Sequence, residues 1–317
     1  MIYEQHHRGE LSASAQRRYD LLLAGMQKGL SSITMPLPYD SSGAVVEAVW
    51  WDHPEIFYYA TQYQISGDRN STTYRFRFPL GKGQAGAIIK QIKAIFARDF
   101  DPMMRKSEYE KVLFVHDYIA ARTTYDLNDP DSFTIIGPFL KGHAACQGVA
   151  YAAAFMLEYL NVRCFFVHGK LREGPFKSER HGWNAVQVEG KWAYMDITND
   201  LDGMKSYFLV DEKTLLGGYS FGAPCVGNGL MARAMDFSCT DLEYHARFGL
   251  VFQSVEAAAA SASHQLDTKG KAEVRLLLND GFDHSREIFD AIEVSRDMRI
   301  HYQSNVLTQT YLFVAQP

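Results

Sequence analysis

The chain has 317 residues, 47% of them hydrophobic and 13% aromatic, with a formal net charge of −5 and a pI near 6.1. That suffices for a sizeable core divided into two or three units, and it provides no basic footprint for a nucleic acid. Four cysteines do not suggest a disulfide scaffold, no apolar run approaches a membrane span, and the start MIYEQHHRGELSASAQ lacks the apolar core of a signal peptide, so the cytoplasm is the default expectation, or the cell exterior if a leader has been removed.

Residues 1–104 read as a small α+β unit. SASAQRRYDLLLAGMQKGL predicts an amphipathic helix with a serine cap. EIFYYATQYQIS and STTYRFRFP predict two strands around Gly67-Asp68, and QAGAIIKQIKAIFARDF predicts a helix ended by Asp101-Pro102. Residues 105–245 read as the core unit. Ser107 and Glu110 have capping-box spacing at the head of the helix SEYEKVLFVHDYIAART. A long turn-rich stretch, TTYDLNDPDSFTIIGPFLKGHAA, then leads to Cys146 and is expected to wall one side of a cleft. In CQGVAYAAAFMLEYL, Val149, Ala153, Met156 and Leu160 recur at helical spacing. HGWNAVQV and KWAYMDIT are rich in strand formers and flank Glu189-Gly190, a two-residue turn. MKSYFLVDEKTLLGGYSFGAPCVGNG reads as loop-rich, its glycines suited to turns or to movement over a site. Residues 246–317 read as an α/β appendage: a helix around Ala257–Ala260, a strand AEVRLLLN, a helix DHSREIFDAIEVS, and strands MRIHYQS and TQTYLFVA.

Chemistry concentrates in three of these pieces. Cys146 falls in or just before the first turn of its helix, where unpaired N–H groups and the dipole favour negative charge. A helix start beside an imidazolium is a setting in which thiols ionise readily. The same N–H groups suit an oxyanion, with that of Cys146 the first choice. If the Glu189-Gly190 turn holds, Val188 pairs with Lys191 and Trp183 lies opposite Asp196. His181, two residues before Trp183, then shares its face and sits diagonal to Asp196. A one-residue slip would destroy that juxtaposition. A thiol, an imidazole and a carboxylate in this relation are suited to acyl transfer: the ring takes the thiol proton and returns it to the leaving group, while the carboxylate orients the ring. Gln147, Gly148, Trp183 and Asn184 flank these residues and are expected to contact substrate; Gly148 leaves room for close approach.

Competing readings attach to several residues. Cys164, in RCFFVHG, reads as a small buried hydrophobe. Cys225 and Cys239 lie in irregular sequence and are open to burial, exposure or bridging. His143 is a rival base, or a metal ligand with Cys146, but C-x-x-C is absent and the cysteines lack structural-zinc spacing, so no metal is expected. His116-Asp117 reads as a hydrogen-bonded pair supporting the core. Trp183 fits a buried strand position as well as a cleft.

The segments CQGVAYAAAFML, NVRCFFVHG, HGWNAVQVEGKWAYMDIT and VHDYIAARTTYD resemble the bacterial transglutaminase-like superfamily, whose core is similar to papain-like cysteine proteases. The resemblance covers about residues 107–212, with a fainter likeness in DHPEIFYYAT. It implies an α+β, papain-like/transglutaminase-like core, in which a helix carrying Cys packs on an antiparallel sheet carrying His and Asp, with small α/β units at either end. The family's C-x-G, H-x-W-N and D-x-T motifs place its triad on Cys146, His181 and Asp196. Family members often have Trp-Asp after D-x-T, where this chain has Asn199-Asp200.

The expected function is a cysteine-dependent acyl-transfer enzyme acting on amides of a protein or peptide substrate through a thioester. Water would resolve the thioester in a protease or amidase, an amine in a transglutaminase. No cofactor is expected, and no nucleic-acid or membrane partner. The alternative is a non-catalytic binding or scaffold module built on the same core.

Overall fold

A computed structural model describes residues 5–59, 62–78, 80, 82–172, 177–222, 235–278, 280–294 and 299–316. At the N-terminus, α1 (His6–Glu10), α2 (Ala13–Gln27) and α3 (Ala44–Asp52) pack beside a sheet of β1 (Ser32–Met35), β2 (Tyr63–Gly67) and β3 (Thr72–Phe76), in the order β1-β3-β2. Ser12 caps α2 through Ala15 N. EIFYYATQYQIS is not one strand. Pro54, with its φ fixed and no N–H to give a ladder, starts a 3₁₀ turn at Pro54–Ile56, and the strand begins only at Tyr63. Helix α3, whose AVVEAVWWD is apolar nearly throughout, carries no clean helical stripe and was not expected.

The central unit begins with α4 (Lys82–Ile95), which widens into a π turn at Phe96–Phe100 before Asp101-Pro102. Helix α5 (Glu108–Ala120) starts at the expected capping box. The following connection is strapped rather than open: β4 (Thr124–Tyr125) pairs in parallel with β5 (His143–Ala144). Lys141 Nζ also lies 2.7 Å from carboxylates of both Asp129 and Asp131. Helix α6 (Cys146–Tyr159) follows, then β6 (Cys164–Arg172), β7 (Ser178–Val188) and β8 (Lys191–Met195). The β7–β8 ladder runs Val188↔Lys191 to Asn184↔Met195, the expected register. Glu189 and Gly190 both have positive φ, 53° and 80°, as a two-residue hairpin turn of this hand demands.

The stretch expected to be loop-rich contains α7 (Glu212–Leu216), capped by Asp211, and β9 (Tyr219–Phe221). Strand β9 joins the antiparallel central sheet on the far side of β6, giving the order β8-β7-β6-β9. Helix α8 (Tyr244–Arg247) leads to the C-terminal unit. There β10 (Val251–Phe252), α9 (Val255–Lys269), β11 (Lys271–Leu276), α10 (Ser285–Asp290), β12 (Arg299–Asn305) and β13 (Thr310–Gln316) form a sheet ordered β10-β11-β13-β12 with two helices. The architecture is therefore mixed α and β, with the antiparallel central sheet and cysteine-bearing helix that the sequence implied.

Helix α6 is buried nearly all round rather than on one face: every residue from Gly148 to Leu157 is buried. It lies between the central sheet, through Phe166, Val186 and Met195, and the α4–α5 side, through Phe96, Val112 and Val115. Gly148 is essential to this packing. A Cβ there would stand 2.1 Å from the Ser132 carbonyl oxygen, in a strap anchored by Ala145 N–H donating to that same oxygen at 2.9 Å. The space beside Gly148 is taken by the chain's own Ser132 and Thr134 backbone. Gly148→Ala should destabilise the fold by about 1–3 kcal/mol through overpacking. Urea denaturation compared with an Ala154→Gly control would measure it; an unchanged midpoint would show that the strap yields freely.

Candidate active site

Cys146 opens α6, and α6 differs from its neighbours at that end. Helices α2, α5 and α9 each begin with a serine side chain accepting from the first turn, whereas α6 begins after Ala145 with no side-chain cap. Its first-turn N–H groups are thus left to other acceptors beside the sulfur. Strand β7 comes close to this helix start because Gly182 has no side chain. A Cβ there would meet the Phe166 ring at 2.6 Å and lie 3.8 Å from Gln147 Cα. His181, the residue before Gly182, is carried to the thiol by that approach.

The His181 ring responds to two residues. Its Nε2 lies 2.6 Å from Asp196 Oδ2, and the Cys146 thiol is near enough to help raise its pKa. His181 is 8% exposed and Asp196 1%. Burial pulls the imidazole pKa down, but the charge and hydrogen bond of Asp196, with help from Cys146, overcome it and bring the ring to about 10. Burial pushes Asp196 up, and the charge and hydrogen bond of His181 outweigh it, holding the carboxyl below its ordinary value. The pair is an imidazolium–carboxylate pair across the neutral range.

Asp196 is saturated with donors. Oδ1 accepts from Thr198 N at 3.0 Å and Asn199 N at 3.4 Å. Oδ2 accepts from Asn199 Nδ2 at 3.1 Å and from the Tyr219 hydroxyl at 2.6 Å. Asn199, where the resemblance led one to expect tryptophan, thus serves the acid directly, and its amide also donates to the Tyr219 oxygen. Asp200 is turned away, buried against His116 Nε2 at 3.1 Å. His116 therefore pairs with Asp200 as well as with Asp117, at 3.0 Å.

Tyr219 and Tyr125 were missed in the sequence. Tyr219 sits on β9, two strands from β7, and its ring crosses the sheet face, 5.2 Å from Trp183 and 5.8 Å from His181. Tyr125 lies near enough to Cys146 for the sulfur to help burial raise its hydroxyl pKa to about 12. A long-range strand pairing and a parallel two-residue bridge leave no local signal; only the tyrosine of TTYD, within the family-like segments, hinted at the second.

The residues expected to contact substrate divide. Gln147 lines a recess with His53, Phe57, Tyr59, Phe133 and Tyr151. It donates to the Phe133 carbonyl at 3.1 Å. Gly148, Trp183 and Asn184 lie beneath the surface instead. Trp183 is 1% exposed and stacked beside His181, and Asn184 straps β7 to α6 by donating to the Ala150 carbonyl at 3.0 Å. Alternation along β7 explains both: each faces a filled layer. The recess adjoins a larger cavity of about 810 Å³ that shares His53 and Phe57 with it and extends past Ile92, Phe96 and Phe155. The N-terminal DHPEIFYY segment thus walls the ground beside the cysteine.

His143 is engaged elsewhere, its Nδ1 2.8 Å from Ser132 Oγ and its Nε2 3.5 Å from Asp129. Among the described residues no group of His, Cys, Asp and Glu is arranged to hold a metal, and no helix is long and apolar enough to cross a membrane. Cys164 and Cys239 are free thiols, each pushed up in pKa first by burial. Cys225 lies outside the described residues.

A cysteine on a buried helix, facing a histidine and an aspartate from an antiparallel hairpin, is the arrangement of a papain-like or transglutaminase-like core. Residues 100–197 match the model of the Transglutaminase-like superfamily, and this segment is a transglutaminase-like domain. Among solved structures the chain is similar to a TGase, at 18% identity over 55% of this chain and 52% of that one, with a TM-score of 0.33. It is also similar to a proposed cysteine protease from Cytophaga hutchinsonii, at 15% identity over 50% and 65% of the two chains, with a TM-score of 0.30. A third is menin, from a structure revealing the binding site for Mixed Lineage Leukemia protein, at 21% identity over 38% and 26%, with a TM-score of 0.27. The chain therefore spans about half of the TGase and under two thirds of the Cytophaga protein. No curated protein matches it.

The raised pKa of His181 fixes the sign of a pH effect. Its contribution to stability is complete below the unfolded value near 6.5 and is lost as pH rises through about 10. The stability advantage of the wild type over His181→Gln should therefore be greatest near pH 6 and shrink toward pH 10 in urea titrations. A constant difference across that range would mean that the ring is neutral in the folded state.

Proposed function

We propose that the protein is a cysteine-dependent acyl-transfer enzyme acting on amide bonds of proteins or peptides, with Cys146 as nucleophile, His181 as base and acid, and Asp196 as the group that orients and charges the ring. The observation that carries this reading is the His181 ring held 2.6 Å from Asp196 Oδ2 and electrostatically coupled to the Cys146 thiol.

In this mechanism the sulfur, its proton held by His181, attacks the amide carbonyl, and the carbonyl π electrons move onto oxygen. The uncapped first turn of α6 supplies N–H donors to that oxygen. As the C–N bond breaks, the imidazolium returns its proton to the departing amine, leaving a thioester. Water or a second amine then attacks the thioester, with His181 removing its proton, and collapse releases the sulfur. Asp196 stays ionised throughout. The recess beside Gln147 and the cavity beyond it are lined largely by aromatic and aliphatic side chains, which suits a substrate presenting apolar side chains next to the reacting amide.

Cys146→Ala should abolish thioester formation and turnover while leaving the thermal midpoint within a few degrees. Casein with a fluorescent primary amine as acceptor would separate the two outcomes, since transamidation incorporates the label and hydrolysis releases ammonia or peptides. Iodoacetamide at mildly acidic pH should modify Cys146 far faster than Cys164 or Cys239, as peptide mass spectrometry would resolve. Turnover surviving in Cys146→Ala would overturn the assignment, and equal labelling of all thiols would favour a binding module.

A further inference from the structure

Tyr219 donates to the same carboxylate oxygen that His181 uses. At Asp196 Oδ2 the phenol hydroxyl and the imidazole Nε2 each stand at 2.6 Å, and Asn199 Nδ2 stands at 3.1 Å. The direction of the phenol proton is set by Asn199, whose Nδ2 also donates to the Tyr219 oxygen and so leaves the O–H for the carboxylate. Burial, then the charge of Asp196, keep that hydroxyl protonated, well above its ordinary value. The ring is held in place from both sides. Strand β9 pairs with β6 at Leu171↔Tyr219, and Gly169 lets the strands sit close, since a Cβ there would stand 2.1 Å from the Ser220 carbonyl oxygen. Tyr219 is buried, its ring 5.2 Å from that of Trp183 and 5.1 Å from that of Tyr207.

Charge-assisted hydrogen bonds draw on the negative charge of their acceptor. Two short donors on one oxygen therefore compete, and each weakens the grip of the oxygen on the other. A buried carboxylate with no such competitor would hold the Nε2 proton more tightly and leave the ring more basic, so that it gave up its other proton less readily. We propose that Tyr219, oriented by Asn199, is a positioning residue: it shares Asp196 Oδ2 with His181 and limits how tightly the carboxylate holds the imidazolium, so that the ring can return a proton to the departing amine. The phenol transfers no proton and touches no substrate. As the C–N bond breaks, the imidazolium N–H on the nitrogen away from Asp196 passes its proton to the amine nitrogen, while the Nε2–H and the Tyr219 O–H both stay on Oδ2. The other titratable groups whose charge reaches the pair are Cys146 from α6, Tyr125 from β4, and Asp200 and Tyr207 from the segment after Asp196. Substitution at Tyr219 leaves all of them in place.

The inference rests on the acyl-transfer reading for its effect on turnover, whereas the sharing of Oδ2 is read by proton NMR without any substrate. In the full chain the Nε2 proton of His181 should give a far-downfield resonance, assigned by its loss in Asp196→Asn. In Tyr219→Phe that resonance should move further downfield, and the alkaline midpoint of its titration should rise by about one pH unit, because the carboxylate then serves the ring with one donor fewer. Peptide amide turnover should fall by about tenfold in kcat with KM unchanged. Asn199→Ala keeps every ring in place and should move the resonance in the same direction by less, which preserves the test if Tyr219→Phe unfolds. A resonance that stays put or moves upfield in the folded variant would overturn the sharing of Oδ2 and reduce Tyr219 to packing. A downfield move with kcat unchanged would overturn its part in proton return. A wild type that shows the resonance but neither hydrolyses nor transamidates any amide through Cys146 would instead overturn the acyl-transfer reading.

Discussion

The site depends on one buried ion pair, His181 with Asp196. Removing two charges from water costs several kcal/mol per ion, and their attraction compensates only when the remaining hydrogen-bonding positions are filled. Here they are filled. The carboxylate has five donors from four residues, the Nε2 of His181 among them. The geometry is therefore stiff around the ring. Loss of either partner leaves the other buried and unpaired, a penalty of about 3–5 kcal/mol in such pairs.

The pair in turn depends on register. Its two members come from β7 and from the residue just past the end of β8, and they meet only because the hairpin turn contains two residues and no more. Both turn residues adopt positive φ, which a glycine accepts freely and Glu189 accepts because the flanking ladder holds it. That is why this part of the site could be read from the sequence: turn length, alternation and a count of positions are local quantities. The capping box at Ser107 and the head of α6 were legible for the same reason.

What stayed hidden is non-local. Tyr219 reaches Asp196 because β9 adds to the sheet beyond β6, and its run, GGYSFGAP, has the composition of a loop. Tyr125 reaches Cys146 through a parallel bridge of two residue pairs, too short for any periodic pattern. Gly148 looked like space for a ligand, but a glycine reports only that something approaches closely; the Ser132 carbonyl occupies that space. Trp183 and Asn184 adjoin the base in sequence, yet alternation turns one into the layer beneath the site and the other toward α6. Proximity along a strand is a poor guide to which side chains a substrate can touch.

Polar contacts bind the C-terminal unit to the support of Asp196. Asp200, buried beside His116, accepts from Tyr207 N, while the Tyr207 carbonyl accepts from Asp196 N at 3.0 Å. The Tyr207 ring lies 5.1 Å from that of Tyr219. Nearby, Glu273 of β11 accepts from Lys205 N at 2.6 Å and holds His245 at 3.0 Å, and Lys271 Nζ donates to the Gly203 carbonyl at 2.9 Å. The segment from Asp200 to Tyr207 is thus clasped from below by α5 and from the side by the C-terminal sheet. A turn carrying a buried carboxylate has few ways to be rigid on its own, since its backbone groups must find partners outside any ladder. Here those partners come from α5 and from the C-terminal unit, so the position of Asp196 is determined by contacts well beyond the hairpin it follows.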